Sequence, residues 1–120
     1  MEERRKFVRL DTRVDINCSL VTAEQAQRTV TKNIGGSGIC IISEELLPIG
    51  SQLRIAMKLP GRERQINFVA EVIWSESYEI IGKSERRKAV ESGLQFVQIS
   101  SEDKEAIMQH VILGLRSVAA

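Results

Sequence analysis

The sequence predicts a mainly β protein: a closed barrel of six antiparallel strands followed by a single C-terminal α-helix. Two observations support this fold class. Six short apolar segments are separated by turn signals, and most of them alternate between apolar and polar residues, which is typical of half-buried antiparallel strands. After the sixth segment the apolar residues recur with helical spacing instead. With 120 residues, of which 42% are hydrophobic, the chain suits one domain with its own core.

The first three predicted strands precede residue 43. In residues 14–20 every second residue is apolar, so one face of this strand should be buried. Residues 27–34 make a more polar strand, which leads into a glycine-rich turn. Residues 39–42 are apolar on both faces, and this pattern indicates a central strand.

Three more strands follow after a loop. In residues 53–59 every second residue is again apolar, and the dipeptide Pro60-Gly61 ends the strand. The next strand places a row of apolar residues on a single face: Ile66, Phe68, Ala70, Val72 and Trp74. Residues 77–92 are polar and charged and predict a loop or a solvated excursion, and residues 93–99 form the sixth strand.

The C-terminal helix is predicted to begin at Ser100 or Ser101, because serine is a favoured N-cap, with Asp103 in the first turn. Its apolar residues make a stripe at helical spacing: Ile107, Met108, Val111, Ile112 and Leu115. The stripe indicates that the helix covers one open end or side of the barrel.

Charge and composition argue against several functions. The net charge is only +1, so no overall field attracts the protein to nucleic acid or to an anionic membrane. No segment approaches the roughly 20 apolar residues that span a bilayer, and the acidic residues in the initial MEERRK argue against a signal peptide. We therefore expect a cytoplasmic protein without membrane insertion, in which Cys18 and Cys40 are reduced.

Catalytic and metal chemistry have little support in the sequence. The one histidine, His110, lies in the predicted helix, and no cysteine or serine has a plausible base near it in sequence. The turn at residues 35–38 lacks the Gly-Lys-Ser/Thr ending of a phosphate-binding P-loop. No Cys/His cluster has the spacing of a metal site. We expect a protein that is not an enzyme and has no cofactor or metal.

Two short motifs predict a local anion site. Arg5 and Arg9 are four positions apart, so they lie on one side of the chain in either a helix or a strand. Arginine stacks on aromatic rings and binds phosphates or guanine edges with two hydrogen bonds. The turn Asn33-Ile34-Gly35-Gly36-Ser37-Gly38 adds a carboxamide and lets the backbone come close to a ligand.

The first arginine cluster has an echo later in the chain. ERRKFV at residues 3–8 recurs as ERRKAV at residues 85–90, but Glu91 stands where a second Arg9 would complete the pair. A carboxylate there would repel a phosphate, so we expect the echo to be a solvated loop. The alternative is that Arg86 or Arg87 reaches a ligand or a partner protein.

These motifs resemble those of the PilZ domain family. Arg5-Lys6-Phe7-Val8-Arg9 matches the family's RxxxR motif, and Arg4 supplies the extra arginine that often precedes it. The family's (D/N)xSxxG motif is matched at Asn33 and Gly38, whereas Gly35 stands where the family usually has serine. The resemblance extends over nearly the whole chain, including the later strands and the helix.

The resemblance implies a barrel of the PilZ type that acts as a receptor for the bacterial second messenger cyclic di-GMP. The implied ligand-binding residues are Arg4, Arg5, Arg9, Asn33, Gly35, Gly38 and Trp74. The arginines would stack on guanine or bind its polar edge, and the indole ring would wall the pocket.

The resemblance also implies that two segments of the chain have different roles. Residues 1–12 would form an arginine-bearing arm, and residues 13–120 the barrel with its helix. Ligand binding would order the arm and change the surface offered to a downstream protein, which the sequence does not identify. No DNA or RNA partner is expected.

Three alternatives remain open at this point. The chain could be a PilZ-like interaction module in motility or pilus machinery that has lost nucleotide binding, and Gly35 favours that reading. It could be a small barrel that binds single-stranded nucleic acid, although few aromatic residues are available as stacking platforms. The basic cluster could instead be a solvated tail, but Phe7 and Leu10 would be unusual anchors in one.

Overall fold

Strand pairing closes the protein into a barrel. The computed structural model describes residues 9–23, 25–82 and 86–119. Within these ranges the elements are β1 (Arg9–Asp11), β2 (Asp15–Leu20), β3 (Gln27–Gly35), β4 (Gly38–Ser43), β5 (Gln52–Met57), β6 (Ile66–Ile81), β7 (Arg86–Gln98) and α1 (Ser101–Ala119).

All pairings are antiparallel, and the ring runs β3-β2-β5-β6-β7-β4. The ring closes because β3 also pairs with β4. Outside it, β1 pairs with β3 as an extra strand. The predicted six-stranded antiparallel barrel with a C-terminal helix is confirmed.

The barrel core follows from the alternation of the strands. In β5 and just beyond it, Leu53, Ile55, Met57 and Leu59 are all buried, as predicted. Thr31 is a buried polar residue in the same interior. Its hydroxyl donates to the carbonyl of Thr12 at 2.7 Å and accepts from the N–H of Val14 at 2.9 Å. The segment that links β1 to β2 is thereby fixed to β3.

The loop predicted over residues 77–92 is wrong. Instead β6 and β7 continue as a paired hairpin beyond the barrel, with Ile81 opposite Arg86. Each strand provides hydrogen-bond partners for the backbone N–H and C=O groups of the other. The pairing therefore does not require an apolar face, and the side chains can be polar. Opposite charges also face each other across the hairpin at Glu79 and Lys88. The described part of the echo therefore lies in β7.

The helix begins as predicted, but its stripe differs in part. The Ser100 Oγ accepts a hydrogen bond from the N–H of Asp103 at 3.1 Å, which identifies Ser100 as the N-cap. Ile107 and Val111 are buried, whereas Ile112 is 45% exposed. Since one residue is a rotation of about 100°, Ile112 lies at the solvent edge of the stripe.

The helix is held near its start and again in its C-terminal half. Near its start, Arg64 in the β5–β6 loop contacts Asp103 at 2.7 Å and Glu102 at 3.2 Å. Farther along, α1 packs on β1 and β3, the strands that carry the two motifs. The side chain of Leu10 in β1 is so close to Gly114 that a Cβ there would lie 3.0 Å from Leu10 Cδ1. The helix therefore packs directly on β1, the strand that begins with the last arginine of the motif.

Candidate functional site

Two β-bulges decide which side chains face outward at the site. One register shift lies between Thr31 and Asn33 in β3, and the other between Val72 and Trp74 in β6. An extra residue reverses the alternation of a strand. Asn33 and Trp74 therefore leave the inner face that Thr31 and Val72 occupy. The predicted single face through Ile66 and Trp74 is wrong at Trp74, because the bulge turns the indole outward.

A row of paired residues crosses four strands on the outer face. Asn33 in β3 is opposite Cys40 in β4, Cys40 is opposite Gly93 in β7, and Gly93 is opposite Trp74 in β6. Ile39, Ile41 and Leu94, which flank Cys40 and Gly93 in the chain, belong to the core, so these two residues face away from it. Trp74 is 39% exposed on the same outer side. The two central residues, Cys40 and Gly93, are small. They make a low floor between the carboxamide of Asn33 and the indole of Trp74.

The extra strand brings the arginine motif to this row. In β1, Arg9 is opposite Gly35, and its Nη1 donates a hydrogen bond to Asn33 Oδ1 at 2.9 Å. Leu10, the next residue, faces the other way and is buried in the core. The anchored Leu10 thus fixes the direction of Arg9. The structure brings together one residue from each motif, 24 positions apart in the chain.

A shallow cavity of about 200 Å³ opens beside these residues. It is lined by Arg9, Ser37, Ile73, Trp74, Gly93, Leu94 and Gln95. A larger groove of about 570 Å³ crosses the outer face of β2, β5 and β6, next to Asn17 and Arg54. That groove is larger, but none of the predicted site residues lines it.

The two predicted glycines occupy different environments. A Cβ at Gly38 would overlap the carbonyl oxygen of Leu94 and lie 2.9 Å from its carbonyl carbon. Gly38 is therefore needed for the close approach of β4 to β7. Gly35 is buried opposite Arg9. Arg4 and Arg5 lie outside the described residues.

Charges beside the row are arranged in an exposed cluster. Lys32, the residue in the β3 bulge, forms an ion pair with Glu91 at 2.8 Å. The hydrogen bond and the charge of Glu91 raise the pKa of Lys32. Burial and then Glu91 raise the pKa of Tyr78 on the neighbouring strand. Glu91, which stands where the second copy of the motif lacks its last arginine, is thus paired with Lys32, the chain neighbour of Asn33.

Sequence reasoning missed three residues of this arrangement. Gly93 and Cys40 make its floor, and Gln95 lines the cavity. A glycine inside a strand pattern often marks a close approach, and that signal was available at Gly93. Cys40 and Gln95 carry no such signal, because only the strand register places them.

Two further observations concern metal and membrane chemistry. In residues 9–23, 25–82 and 86–119, no group of three or more His, Cys, Asp or Glu side chains could hold a metal ion. Nor does the described part of the chain contain a helix long and apolar enough to cross a bilayer.

Comparisons with known proteins identify the family and agree with the fold. The profile of the PilZ domain family matches residues 3–113. Among solved structures, the chain is similar to the Bacillus subtilis inhibitor of motility MotI/DgrA, with 30% identity and a TM-score of 0.72. That match covers 97% of this chain and 53% of the inhibitor, so the chain spans about half of that relative's length.

Two more distant structures share the fold. The PilZ domain of YcgR from Escherichia coli, solved with cyclic di-GMP, is 15% identical with a TM-score of 0.76, over 97% of this chain and 95% of that one. The MrkH–cyclic di-GMP complex of K. pneumonia is 17% identical with a TM-score of 0.72, over 98% and 54%. No curated protein matches the sequence.

Proposed function

The chain belongs to the PilZ domain family, and we propose that it is a receptor for cyclic di-GMP. One observation carries the proposal: the 2.9 Å hydrogen bond from Arg9 to Asn33, which joins the RxxxR motif to the (D/N)xSxxG motif. The YcgR and MrkH structures of this fold contain cyclic di-GMP. In this chain Arg9 from the first motif and Ser37 from the second line one cavity.

The residues suit a ligand that has two guanines and two phosphates. Arg9 offers a planar cation that stacks on a purine and binds its polar edge with two hydrogen bonds. Asn33 adds a directional carboxamide beside it, and Trp74 provides a flat apolar wall across the small floor. Each cation–π contact contributes about 0.5–2 kcal/mol.

Arg4 and Arg5 complete the proposed site from the arm. Residues 1–12 form this arm in our proposal, and residues 13–120 form the barrel and helix. With a net charge of only +1, affinity for an anionic ligand depends on such a local cluster. Gly35 and Gly38 contribute backbone near the ligand.

The position of β1 suggests how binding is relayed. Arg9 faces the cavity, while Leu10 packs against Gly114 of α1. A ligand held by Arg9 therefore acts on a strand that is in contact with the helix. We assign the protein no catalytic step; its output is a changed surface for a downstream protein partner. DNA and RNA are not proposed as ligands.

Isothermal titration with cyclic di-GMP tests the proposal. The natural chain should bind, and the variant Arg5→Ala/Arg9→Ala should lose at least tenfold in affinity, because charged hydrogen bonds contribute about 1.5–3 kcal/mol each. Arg13→Ala is the matched control, since Arg13 is exposed and lies outside both motifs. Absence of heat for the natural chain at micromolar ligand, or equal binding by the double variant, would contradict the proposal.

Gly35 favours a second candidate, an interaction module that has lost nucleotide binding. A serine hydroxyl at this position would add a hydrogen bond of about 1 kcal/mol to the ligand. The 30% identical relative is an inhibitor of motility, so motility machinery is a reasonable setting for such a module. If Gly35→Ser creates binding that the natural chain lacks, this second function is the correct one.

A further inference from the structure

We propose that Gly93 is a positioning residue for Trp74 and thereby shapes the wall of the ligand cavity. The inference rests on the function proposed above. Gly93 and Trp74 are directly opposite each other in the β6–β7 pair. A Cβ on Gly93 would overlap Trp74 Nε1 and lie 2.6 Å from Cε2 and 2.7 Å from Cδ1. The indole therefore occupies the space that any other residue at position 93 would fill.

The direction of the ring follows from the β6 bulge together with this glycine. The bulge before Trp74 turns its side chain to the outer face. There the missing side chain of Gly93 lets the indole lie across β7, and Trp74 is only 39% exposed although it lies outside the core. The bulge selects the face, and the glycine selects the position of the ring on that face.

The position of the ring matters because Trp74, Gly93 and Arg9 line one cavity. A methyl group on Gly93 has to displace either the β7 backbone or the indole. The backbone is held on both sides, by Cys40 in β4 and by Trp74 in β6. The indole is partly exposed and can rotate at little cost. Displacement of the ring from its place beside Arg9 is the expected response.

Gly38 provides a contrast within the same site. There a Cβ would meet the backbone of Leu94 rather than a side chain, so no rotation relieves the overlap. The two glycines therefore differ in role: Gly38 permits the packing of two strands, and Gly93 sets the position of one side chain.

Trp74 is the chain's single tryptophan, so its emission reports this position alone. The experiment measures melting temperature and cyclic di-GMP affinity for the natural chain, Gly93→Ala, Trp74→Ala and the double variant, and tryptophan emission for the first two, which retain the indole. Gly93→Ala should shift the emission of the free protein to longer wavelength and weaken binding about tenfold, with little change in melting temperature. Trp74→Ala should weaken binding to a similar extent. In the Trp74→Ala background, Gly93→Ala should cost no further affinity, because the ring it displaces is gone.

The outcomes separate this inference from the proposed function. If the natural chain does not bind cyclic di-GMP, the proposed function fails. If it binds, and Gly93→Ala changes neither affinity nor emission, the inference alone is overturned. An equal loss of affinity from Gly93→Ala in both backgrounds also overturns it, because the glycine would then act without the ring. Should Gly93→Ala fail to fold, the double variant must fold; a double variant that is unfolded as well contradicts the inference.

Discussion

The carboxamide of Asn33 has a fixed direction, because its oxygen accepts a hydrogen bond from Arg9 at 2.9 Å. The NH₂ group of this side chain must then point away from Arg9, where it can donate a hydrogen bond to a second partner. This hydrogen bond couples the orientation of the Arg9 guanidinium in one motif to that of the Asn33 carboxamide in the other. Both motifs were evident in the sequence, and their alignment depends on a β-bulge that the sequence does not show.

Asn33→Ala should weaken cyclic di-GMP binding about tenfold, since it removes a proposed ligand contact and leaves Arg9 without this hydrogen bond. Asn33→Asp is the matched control: it keeps the acceptor oxygen for Arg9 and should retain most of the affinity. Titration calorimetry on the two variants checks this. An alanine variant that binds like the natural chain would show that Asn33 is not part of the site.

His110 predicts a pH dependence of stability. Burial, and secondarily the charge of Arg62, lowers its pKa, and its buried Nε2 has no hydrogen-bond partner among the described residues. The unfolded chain therefore binds a proton more readily than the folded one. The contribution of neutral His110 to the free energy of unfolding is fully present above the unfolded pKa of about 6.5. This contribution is lost as the pH falls below that value towards the lower pKa of the folded state.

We accordingly expect the melting temperature to be lower at pH 5.5 than at pH 7.5. His110→Gln should reduce this difference, and it is a clean test because the chain has one histidine. An equally large difference in the glutamine variant would assign the effect to other groups.

At the scale of elements, the start of α1 offers a matched pair of serines. Ser100→Ala removes the acceptor for the N–H of Asp103 and should lower the free energy of unfolding by about 1 kcal/mol. Ser101→Ala, one residue later and exposed, should have a much smaller effect. Urea denaturation of the two variants measures the difference, and equal effects would contradict the assignment of the cap.

The β4–β7 pair makes a stronger prediction. Gly38→Ala should destabilise the fold by about 3 kcal/mol, because the new methyl group meets the Leu94 carbonyl in the backbone. Ser37→Ala, the exposed neighbour, serves as control. A Gly38→Ala variant of natural stability would show that β4 and β7 can move apart.

The elements also show how far sequence reasoning reaches. Strands with one buried face, such as β5, were predictable because burial imposes alternation on the residues. The β6–β7 hairpin was not, since two strands that pair outside the barrel need no apolar face. The bulges could not be predicted for a related reason. One extra residue, such as Lys32, changes the strand register, but no particular residue type marks its position in the sequence. The motif residues were therefore predictable, and the outer row that aligns them was not.

For the whole molecule, the packing of β1 between β3 and α1 suggests a path from ligand to surface. Cyclic di-GMP should slow amide hydrogen exchange in β1 and in the turn of α1 around Gly114, because a ligand held by Arg9 restrains Leu10 against the helix. Exchange in β5, which lies away from the site, should not change. Protection confined to β3 and β4 would contradict a relay through the helix.

The location of binding is the central claim, and an NMR titration of the labelled chain with cyclic di-GMP tests it most directly. We predict that the amide signals of Asn33, Cys40 and Gly93 and the indole signal of Trp74 shift on addition of the ligand. Signals from the larger groove beside Asn17 and Arg54 should stay in place. Shifts confined to that groove, or no shifts at all, would contradict the account.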